Sequence, residues 1–275
     1  MAKPTLTLLR YFLVALALAW SIIPIALVVL ASFKEAKEIF ATPPSLLFTP
    51  TLDNYRALWA ARPDFPRVLF SSLIITTAAT GLTVAVSAAA GYVYARHHDR
   101  LLQLSAFFML AMRMLPPIII TIPLFPAVNA LGLNDTHLLL VLLYAAFYVS
   151  IATWIMRAFI GALPRELEEA AFVDGASLAQ VLLRVILPLA AQGMAAAAIF
   201  VLVFAWNEFV FALIFTTTAA KTAPVAIAEM LGTVEGVQWG AIFAAATLQL
   251  LPVLVAVHLL QRFLVAGLTA GGVKE

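Results

Sequence analysis

No cysteine occurs in this chain of 275 residues, and charged residues make up only 11% of it. The absence of cysteine excludes disulfides, thiolate metal sites and cysteine nucleophiles. The charged fraction is less than half of the about 25% that soluble domains carry. The net charge is only +2 and no run of basic residues occurs, which argues against nucleic acid as a partner. We therefore predict no metal site and no bound nucleic acid.

Apolar residues take the place of the missing charges. Hydrophobic residues form 64% of the chain, and the mean hydropathy is +1.05. A soluble fold of this size leaves too much surface outside its core to hide that many apolar side chains. The apolar runs are about 20–28 residues long, whereas membrane β-barrels use alternating segments of about 10 residues. Because lipid offers no hydrogen bonds to the backbone, the sequence predicts transmembrane helices.

Six apolar runs predict an all-α integral membrane protein with six transmembrane helices. Their approximate bounds are 10–33, 68–95, 102–128, 137–160, 189–217 and 239–264. The first run is longer than the apolar region of about 7–15 residues in a cleaved signal peptide. We therefore interpret it as an uncleaved first span.

The placement of basic residues predicts the orientation in the membrane. Lysine and arginine are in excess on cytoplasmic flanks of transmembrane helices. The larger set of basic flanking residues comprises Lys3, Arg10, Arg96, Arg100, Arg157, Arg165, Arg184, Arg262 and Lys274. This set predicts that both termini face the cytoplasm (N-in/C-in), although the first external loop, 34–67, carries most of the opposing charges.

The segment 161–188 is the longest connection on the predicted cytoplasmic side, and its pattern predicts helix–turn–helix. Its first helix begins with acidic residues, which suit the positive end of a helix dipole: Glu166, Glu168 and Glu169. Gly175 can adopt a positive φ and end that helix. Ser177 can cap the next helix, whose apolar residues have helical spacing.

The first of these two helices has the features of a docking element. Ala170 and Ala171 are small, so another backbone can approach closely. An alternative is an amphipathic helix lying on lipid. The acidic residues would then face anionic headgroups, which favour basic residues instead. The pattern therefore favours insertion into a groove of a partner protein.

The motif Glu169-Ala170-Ala171-x-x-Asp174-Gly175-Ala176, followed by Leu187-Pro188, resembles the EAA loop of binding-protein-dependent ABC importer permeases. Further stretches resemble the shorter, maltose-type inner-membrane permease of the carbohydrate-uptake branch. These stretches are Asp53-Asn54-Tyr55, Met112-Arg113-Met114-x-Pro116-Pro117, Trp206-Asn207-Glu208-Phe209 and Gly267-Leu268-Thr269-Ala270-Gly271. The resemblance covers essentially the whole chain.

This resemblance implies a type I ABC importer permease fold, with residues 1–275 as one transmembrane permease domain and 161–188 as its EAA coupling loop. The residues expected to contact a cytoplasmic ATPase are Glu169, Ala170, Ala171, Asp174 and Gly175. The tail residues expected to reach the ATPase dimer are Gly267, Leu268, Thr269 and Gly271. ATP-driven closure of that dimer would switch the permease between inward-facing and outward-facing states.

The resemblance also implies the partners and the location. The expected partners are a second homologous permease, a cytoplasmic ABC ATPase dimer, an extracytoplasmic solute-binding protein and membrane lipid. The chain itself is expected to be no enzyme and to bind no cofactor, with ATP and Mg²⁺ held by the ATPase subunits. The implied location is the bacterial inner membrane, and the implied solute is a sugar or a related polyol or glycoside.

A few polar residues inside the predicted spans are candidates for lining a substrate path. They are Arg113 in the third span and Trp206, Asn207 and Glu208 in the fifth. A charge at mid-bilayer is costly, so such residues face protein or water. For Arg113 the alternative is a structural role beside the proline-rich kink. For Glu208 the alternatives are packing, a subunit interface, or a position beside Trp206 near the outer headgroups. An ion pair with Arg113 is a further alternative, although the two residues differ in depth by over about 10 Å in straight helices.

Two other classes of membrane protein compete with an ABC permease. A secondary transporter or channel not coupled to ATP is favoured by inverted repeats or two matched broken spans. Only the third span is strongly proline-rich, without a clear mirror in the sequence. A membrane enzyme lacks support, since no Walker A, H-E-x-x-H or G-x-S-x-G pattern occurs.

Overall fold

The computed structural model describes residues 3–43, 45, 47–232 and 236–270, and of residues 3–6, 260 and 262–270 it describes the backbone alone. Over these ranges the regular structure is helical, which confirms the all-α class. The helices are α1 Lys3–Ser32, α2 Ala36–Ile39, α3 Asp53–Ala61, α4 Phe65–Arg96, α5 Arg100–Arg113, α6 Pro117–Ala130, α7 His137–Gly161, α8 Glu166–Val173, α9 Leu178–Val181, α10 Leu187–Leu189, α11 Ala191–Trp206, α12 Val210–Phe215, α13 Ala223–Met230 and α14 Trp239–Ala270. A π-helical segment, Leu182–Ile186, joins α9 to α10.

Four helices among the described residues are individually long and apolar enough to cross a membrane. These segments are Thr7–Ser32, Phe65–Arg96, His137–Gly161 and Trp239–Leu259. Two sharply bent helix pairs raise the number to six if each pair counts as one span. All of these segments overlap the apolar runs of the sequence, so the positions of the predicted spans agree with the helices.

The third predicted span is two helices rather than one kinked helix. The axes of α5 and α6 differ in direction by 94° across a break of three residues. Pro116 and Pro117 lack backbone N–H donors, and a proline also disfavours helical geometry in the residue before it. Consecutive prolines therefore end α5 and start α6, where Pro117 is the first helical residue.

The fifth predicted span, 189–217, is also discontinuous. The chain bends by 76° between the Leu178–Leu189 segment and α11. A second break at Asn207–Phe209 separates α11 from α12. Hydrophobicity does not reveal either break, because it measures the preference for lipid and not the direction of the helix axis.

Backbone contacts divide the chain into two compact units, 67–225 with 252–275 and 1–66 with 226–251. In the first unit α7 is the central helix and packs most extensively against α11. Its fully buried side chains include Leu140, Tyr144, Met156 and Ile160. Lipid is as apolar as this core, so close van der Waals packing must supply the attraction between the helices.

The second unit contains a hydrogen-bonded corner between the end of α1 and α3. The side-chain amide of Asn54 donates to the carbonyls of Ser32, at 2.9 Å, and Lys34, at 2.7 Å. The hydroxyls of Ser32 and Tyr55 lie 2.9 Å apart. The corner lies in the loop 34–67, where α3 forms a short helix. Asn54 is buried, so these bonds satisfy polar groups that water does not reach.

Asp135 fastens the loop before α7 to the loop after α12. Its carboxylate accepts backbone N–H bonds from 217–220 at 2.9–3.1 Å, and its own N–H donates to Phe215 O. Partial burial raises the pKa of Asp135, but backbone donors led by Ala219 and Ala220 outweigh that effect and lower it overall. The carboxylate therefore stays ionised at neutral pH and holds the two loops together.

Helices α4 and α7 approach each other closely at Gly91. A Cβ atom on Gly91 would lie 2.5 Å from the Cβ of Met156 and 3.0 Å from the backbone nitrogen of Arg157. Both atoms are fixed by the backbone of α7, so neither can move aside as the end of a long side chain could. Glycine is therefore required by the packing of this helix pair.

We predict that Gly91→Leu destabilises the protein by about 1–3 kcal/mol, because the added side chain overpacks the contact with α7. The midpoint of thermal unfolding in detergent should fall by roughly 2–12 °C. Gly81→Leu is the matched control, since it lies on the same helix and has nothing within 4 Å of the added Cβ. Equal midpoints for the two variants would show that the α4–α7 contact is not tight.

Candidate functional site

The predicted helix–turn–helix is present, with α8 as its first helix. Asp174 ends α8 as its C-cap residue. Gly175 follows with a φ of +81°, a region that glycine adopts without steric cost. The N–H groups of Gly175 and Ala176 donate to the carbonyls of Phe172 and Ala171, each at 3.0 Å. The turn thus satisfies the carbonyls that the end of α8 leaves open.

The second helix starts as the sequence predicted. The Ser177 hydroxyl accepts the N–H of Gln180, and the Gln180 side chain accepts the N–H of Ser177 at 2.8 Å. This reciprocal capping box fixes the start of α9. No sequence pattern predicted the π-helical segment Leu182–Ile186 that follows. Such single-turn π segments occur frequently at functional sites.

One face of α8 is open to the surroundings. Glu169 and Ala170 are exposed, and so are two large apolar side chains, Phe172 and Val173, the latter by 87%. Beside α8 lies a shallow depression of about 360 Å³. Its lining residues are Ala171, Asp174, Gly175, Ala176, Gln180, Arg184 and Val185. All five residues predicted to contact the ATPase therefore lie on α8 or at the rim of this depression.

The opposite face of α8 is anchored through Glu168, which is buried. The Arg96 guanidinium donates to Glu168 Oε1 through Nε at 2.6 Å, and the Tyr92 hydroxyl donates to Oε2 at 2.9 Å. Arg96 also donates to the Leu163 carbonyl, and Arg165 donates to the Arg96 carbonyl, both at 3.2 Å. Charge-assisted bonds of this length are strong, so the carboxylate is held in place from two sides.

The tail residues predicted to reach the ATPase lie at the edge of the described chain. Gly267, Leu268 and Thr269 are in the final turns of α14, where the backbone alone is described. Gly271 lies outside the described residues. The prediction of an ATPase contact by this tail stays a prediction.

Arg113 is the last residue of α5, immediately before the break. Its guanidinium carbon lies 5.2–5.8 Å from the ring centres of Phe147, Tyr148 and Phe204. The Nη1 atom is buried and has no hydrogen-bond partner. It borders a mostly apolar cavity of about 260 Å³ that Phe211 also lines. The aromatic faces stabilise the cation, while one donor remains available for a ligand or water.

Trp206 is the last residue of α11, and Asn207 and Glu208 lie in the break before α12. Trp206 is only 3% exposed and Glu208 only 7%. The Glu208 carboxylate accepts the N–H groups of Phe211, at 2.9 Å, and Ala212, at 3.2 Å. Asn207 is exposed, and its amide donates to the Val203 carbonyl. Glu208 thus caps the start of α12, since the first N–H groups of a helix lack internal acceptors.

The structure brings Arg113 near α11 but does not pair it with Glu208. Among the ion pairs of the described residues, Arg113 does not appear, and aromatic rings surround it instead. Sequence reasoning missed these rings. Phe147 and Tyr148 lie one turn after Tyr144 in an apolar span, so they read as ordinary packing residues. The proximity of Phe204 depends on how α11 packs against α7, which no local pattern reports.

Removing the Glu208 carboxylate should destabilise the protein. We predict that Glu208→Ala costs about 1–3 kcal/mol, because two buried N–H groups lose their acceptor. Asn207→Ala, at the exposed neighbouring position, should change stability by less than about 0.5 kcal/mol. Thermal unfolding of both variants in the same detergent measures the difference. A Glu208→Ala variant as stable as the natural protein would contradict the capping role.

Comparison with solved structures gives the fold. A crystal structure of a bacterial ABC transporter involved in the import of the acidic polysaccharide alginate matches with a TM-score of 0.72. The match covers 95% of this chain and 97% of that chain, at 17% sequence identity. The likeness therefore extends over essentially all of both chains, and at this identity it concerns the fold alone.

Comparison with characterised sequences gives the family. The chain is 36% identical to the trehalose/maltose transport system permease protein MalG of Thermococcus litoralis, over 91% of each chain. It is 41% identical to the trehalose transport system permease protein SugB of Mycobacterium tuberculosis, over 82% of this chain and 83% of that protein. A family model described as "binding-protein-dependent transport system inner membrane component" matches residues 81–270. The chain therefore belongs to the family of inner-membrane permease components of binding-protein-dependent ABC transport systems.

Proposed function

We propose that this chain is one of two permeases in an ATP-driven importer for a sugar or a related polyol or glycoside, with α8 as its coupling helix. The observation that carries the proposal is the open face of α8, where exposed Ala170 stands beside exposed apolar side chains. A short helix with apolar residues on its free side fits the groove of a partner protein. The permeases named for trehalose and maltose support the sugar class.

The partner on this face would be a cytoplasmic ABC ATPase dimer that holds ATP and Mg²⁺. The basic flanks of the spans favour a cytoplasmic location for α8 and for both termini. Val173 is 87% exposed and Phe172 is 45% exposed, which leaves apolar surface in water unless a partner covers it. Burying such surface contributes about 25 cal/mol per Å², so docking is favourable without any basic patch.

The remaining partners would be a second homologous permease and an extracytoplasmic solute-binding protein. Alternating access would follow from rigid-body movement of the spans, driven by closure of the ATPase dimer beneath α8. The tail residues Gly267, Leu268, Thr269 and Gly271 would add a second contact with that dimer. The broken spans support such a movement, because short helix segments joined by breaks act as hinges.

The substrate path would run beside Arg113, Trp206, Asn207 and Glu208. Arg113 offers an unpaired donor next to aromatic faces, and this combination suits hydroxyl-bearing rings. Asn207 offers an exposed amide. The buried pair Trp206 and Glu208 would shape the path by fixing the break between α11 and α12.

A charge on the open face of α8 should release the ATPase. We predict that Ala170→Arg reduces co-purification of the ATPase by at least about tenfold. A tenfold loss of affinity corresponds to only about 1.4 kcal/mol, and a bulky cation on the docking face costs at least that much. Ala60→Arg, at an exposed alanine of α3, is the matched control and should retain the ATPase. If the Ala170→Arg complex stays intact and transports, the docking surface lies elsewhere.

The substrate path can be mapped with single cysteines, because the natural chain has none. We predict that Arg113→Cys reacts with a charged, water-soluble methanethiosulfonate, since the reactive thiolate forms only where water reaches it. Phe107→Cys, on the exposed surface of the same helix, should face lipid and stay unreactive. An unreactive Arg113→Cys would place this position outside any water-filled path.

A further inference from the structure

The ion pair between Arg96 and Glu168 differs from the others in the described part of the chain. Both of its side chains are only 8% exposed, and their closest atoms lie 2.5 Å apart. Every other ion pair there has at least one side chain that is 40% exposed or more. The side chains of an exposed pair can separate and bind water instead. A buried pair keeps one geometry, because separating its members would leave each charge buried without a partner.

The pair joins two elements of different kinds. Arg96 is the last residue of α4, a helix of 32 residues that is long enough to span the membrane. Glu168 lies in the first turn of α8, which is far too short to span. Its neighbour Glu169 is exposed on the free face of α8. Adjacent glutamates therefore have different surroundings, one turned to the body of the protein and one to the outside.

The network around the pair restrains α8 from several directions. Tyr92, one turn before Arg96, donates to the second carboxylate oxygen. Arg96 also donates to the Leu163 carbonyl, and Arg165 donates back to the Arg96 carbonyl. The segment that leads into α8 and the helix itself are thus both tied to the end of α4. Rotation or sliding of α8 alone would break several charge-assisted bonds at once.

The end of α4 is in turn held against the core. Gly91, five residues before Arg96, makes the backbone-close contact with Met156 of α7. Packed helices without voids move as rigid bodies and do not absorb small displacements. A displacement of α8 is therefore transmitted to α4 through the ion pair, and from α4 to α7 through the contact at Gly91.

We propose that the Arg96–Glu168 pair, with Tyr92, is the rigid joint that transmits movement of α8 to the membrane-spanning helix α4. The inference rests on the proposed coupling role of α8. Glu168 and Arg96 act as positioning residues in it, and neither needs to touch the ATPase. The joint carries the signal in both directions, because a coupling free energy between two sites is reciprocal.

The test uses the complete importer in lipid nanodiscs: both permeases, the ATPase dimer and the solute-binding protein. The affinity of fluorescent solute-binding protein for the complex is measured with and without a non-hydrolysable ATP analogue. The ratio of the two affinities is the coupling factor, which in allosteric proteins is typically about 5–150. This readout reports transmission across the membrane and does not depend on knowing the solute.

Arg96→Gln and Glu168→Gln should each bring the coupling factor close to one, while the ATPase stays attached and the affinity without nucleotide is unchanged. The double variant should lose no more than either single variant, because both changes remove the same joint. Arg56→Gln, in the exposed pair with Asp53, is the matched control and should keep the natural factor.

The joint would be overturned if both single variants had the coupling factor of the natural complex. It would also be overturned if the double variant lost the sum of the two single losses in coupling free energy. Release of the ATPase by Glu168→Gln would also overturn it, since Glu168 would then support docking itself. If the single variants do not assemble, Tyr92→Phe removes one hydrogen bond and carries the test: a reduced factor supports the joint, and a natural factor overturns it. If the complex with the natural sequence holds no ATPase, the proposed function itself is refuted.

Discussion

Every backbone N–H and C=O inside the hydrocarbon layer needs a partner within the protein, and the architecture follows from that constraint. Long helices satisfy it along their own length. Where a helix breaks, the protein must supply another acceptor or remove the donor. Both solutions occur here. Pro116 and Pro117 remove donors at the break between α5 and α6, and Glu208 accepts the free N–H groups at the start of α12.

The charged side chains in the described part of the chain have different surroundings. Exposed ones, such as Glu169 on α8, are solvated and free to meet a partner. The two buried carboxylates have partners: Glu168 accepts from Arg96 and Tyr92, and Glu208 accepts from backbone N–H groups. Because a buried charge without partners is far more costly than an exposed one, each buried carboxylate fixes the geometry of its neighbourhood. In a chain with few charges, these two buried carboxylates therefore fix the local arrangement of the helices around them.

Arg113 shows a third way to keep a charge within an apolar region. Three aromatic faces surround the guanidinium, and one of its nitrogens keeps a donor without a partner. Aromatic rings stabilise a cation without consuming its hydrogen-bond donors. The guanidinium is therefore stabilised in apolar surroundings and keeps a donor that a salt bridge with Glu208 would use.

The sequence by itself determined the helical class, the positions of the apolar runs and the turn at Gly175 and Ser177, because lipid burial and capping depend on nearby residues. The acidic, alanine-containing motif around Glu169 also pointed to the family. The prolines of the third run already predicted a kink there. The tertiary structure alone decided the 94° angle of that kink, the breaks in the fifth run, the ring of aromatics at Arg113, and the pairing of Arg96 with Glu168. These features join residues dozens of positions apart or depend on axis direction, and hydrophobic periodicity carries no information on either.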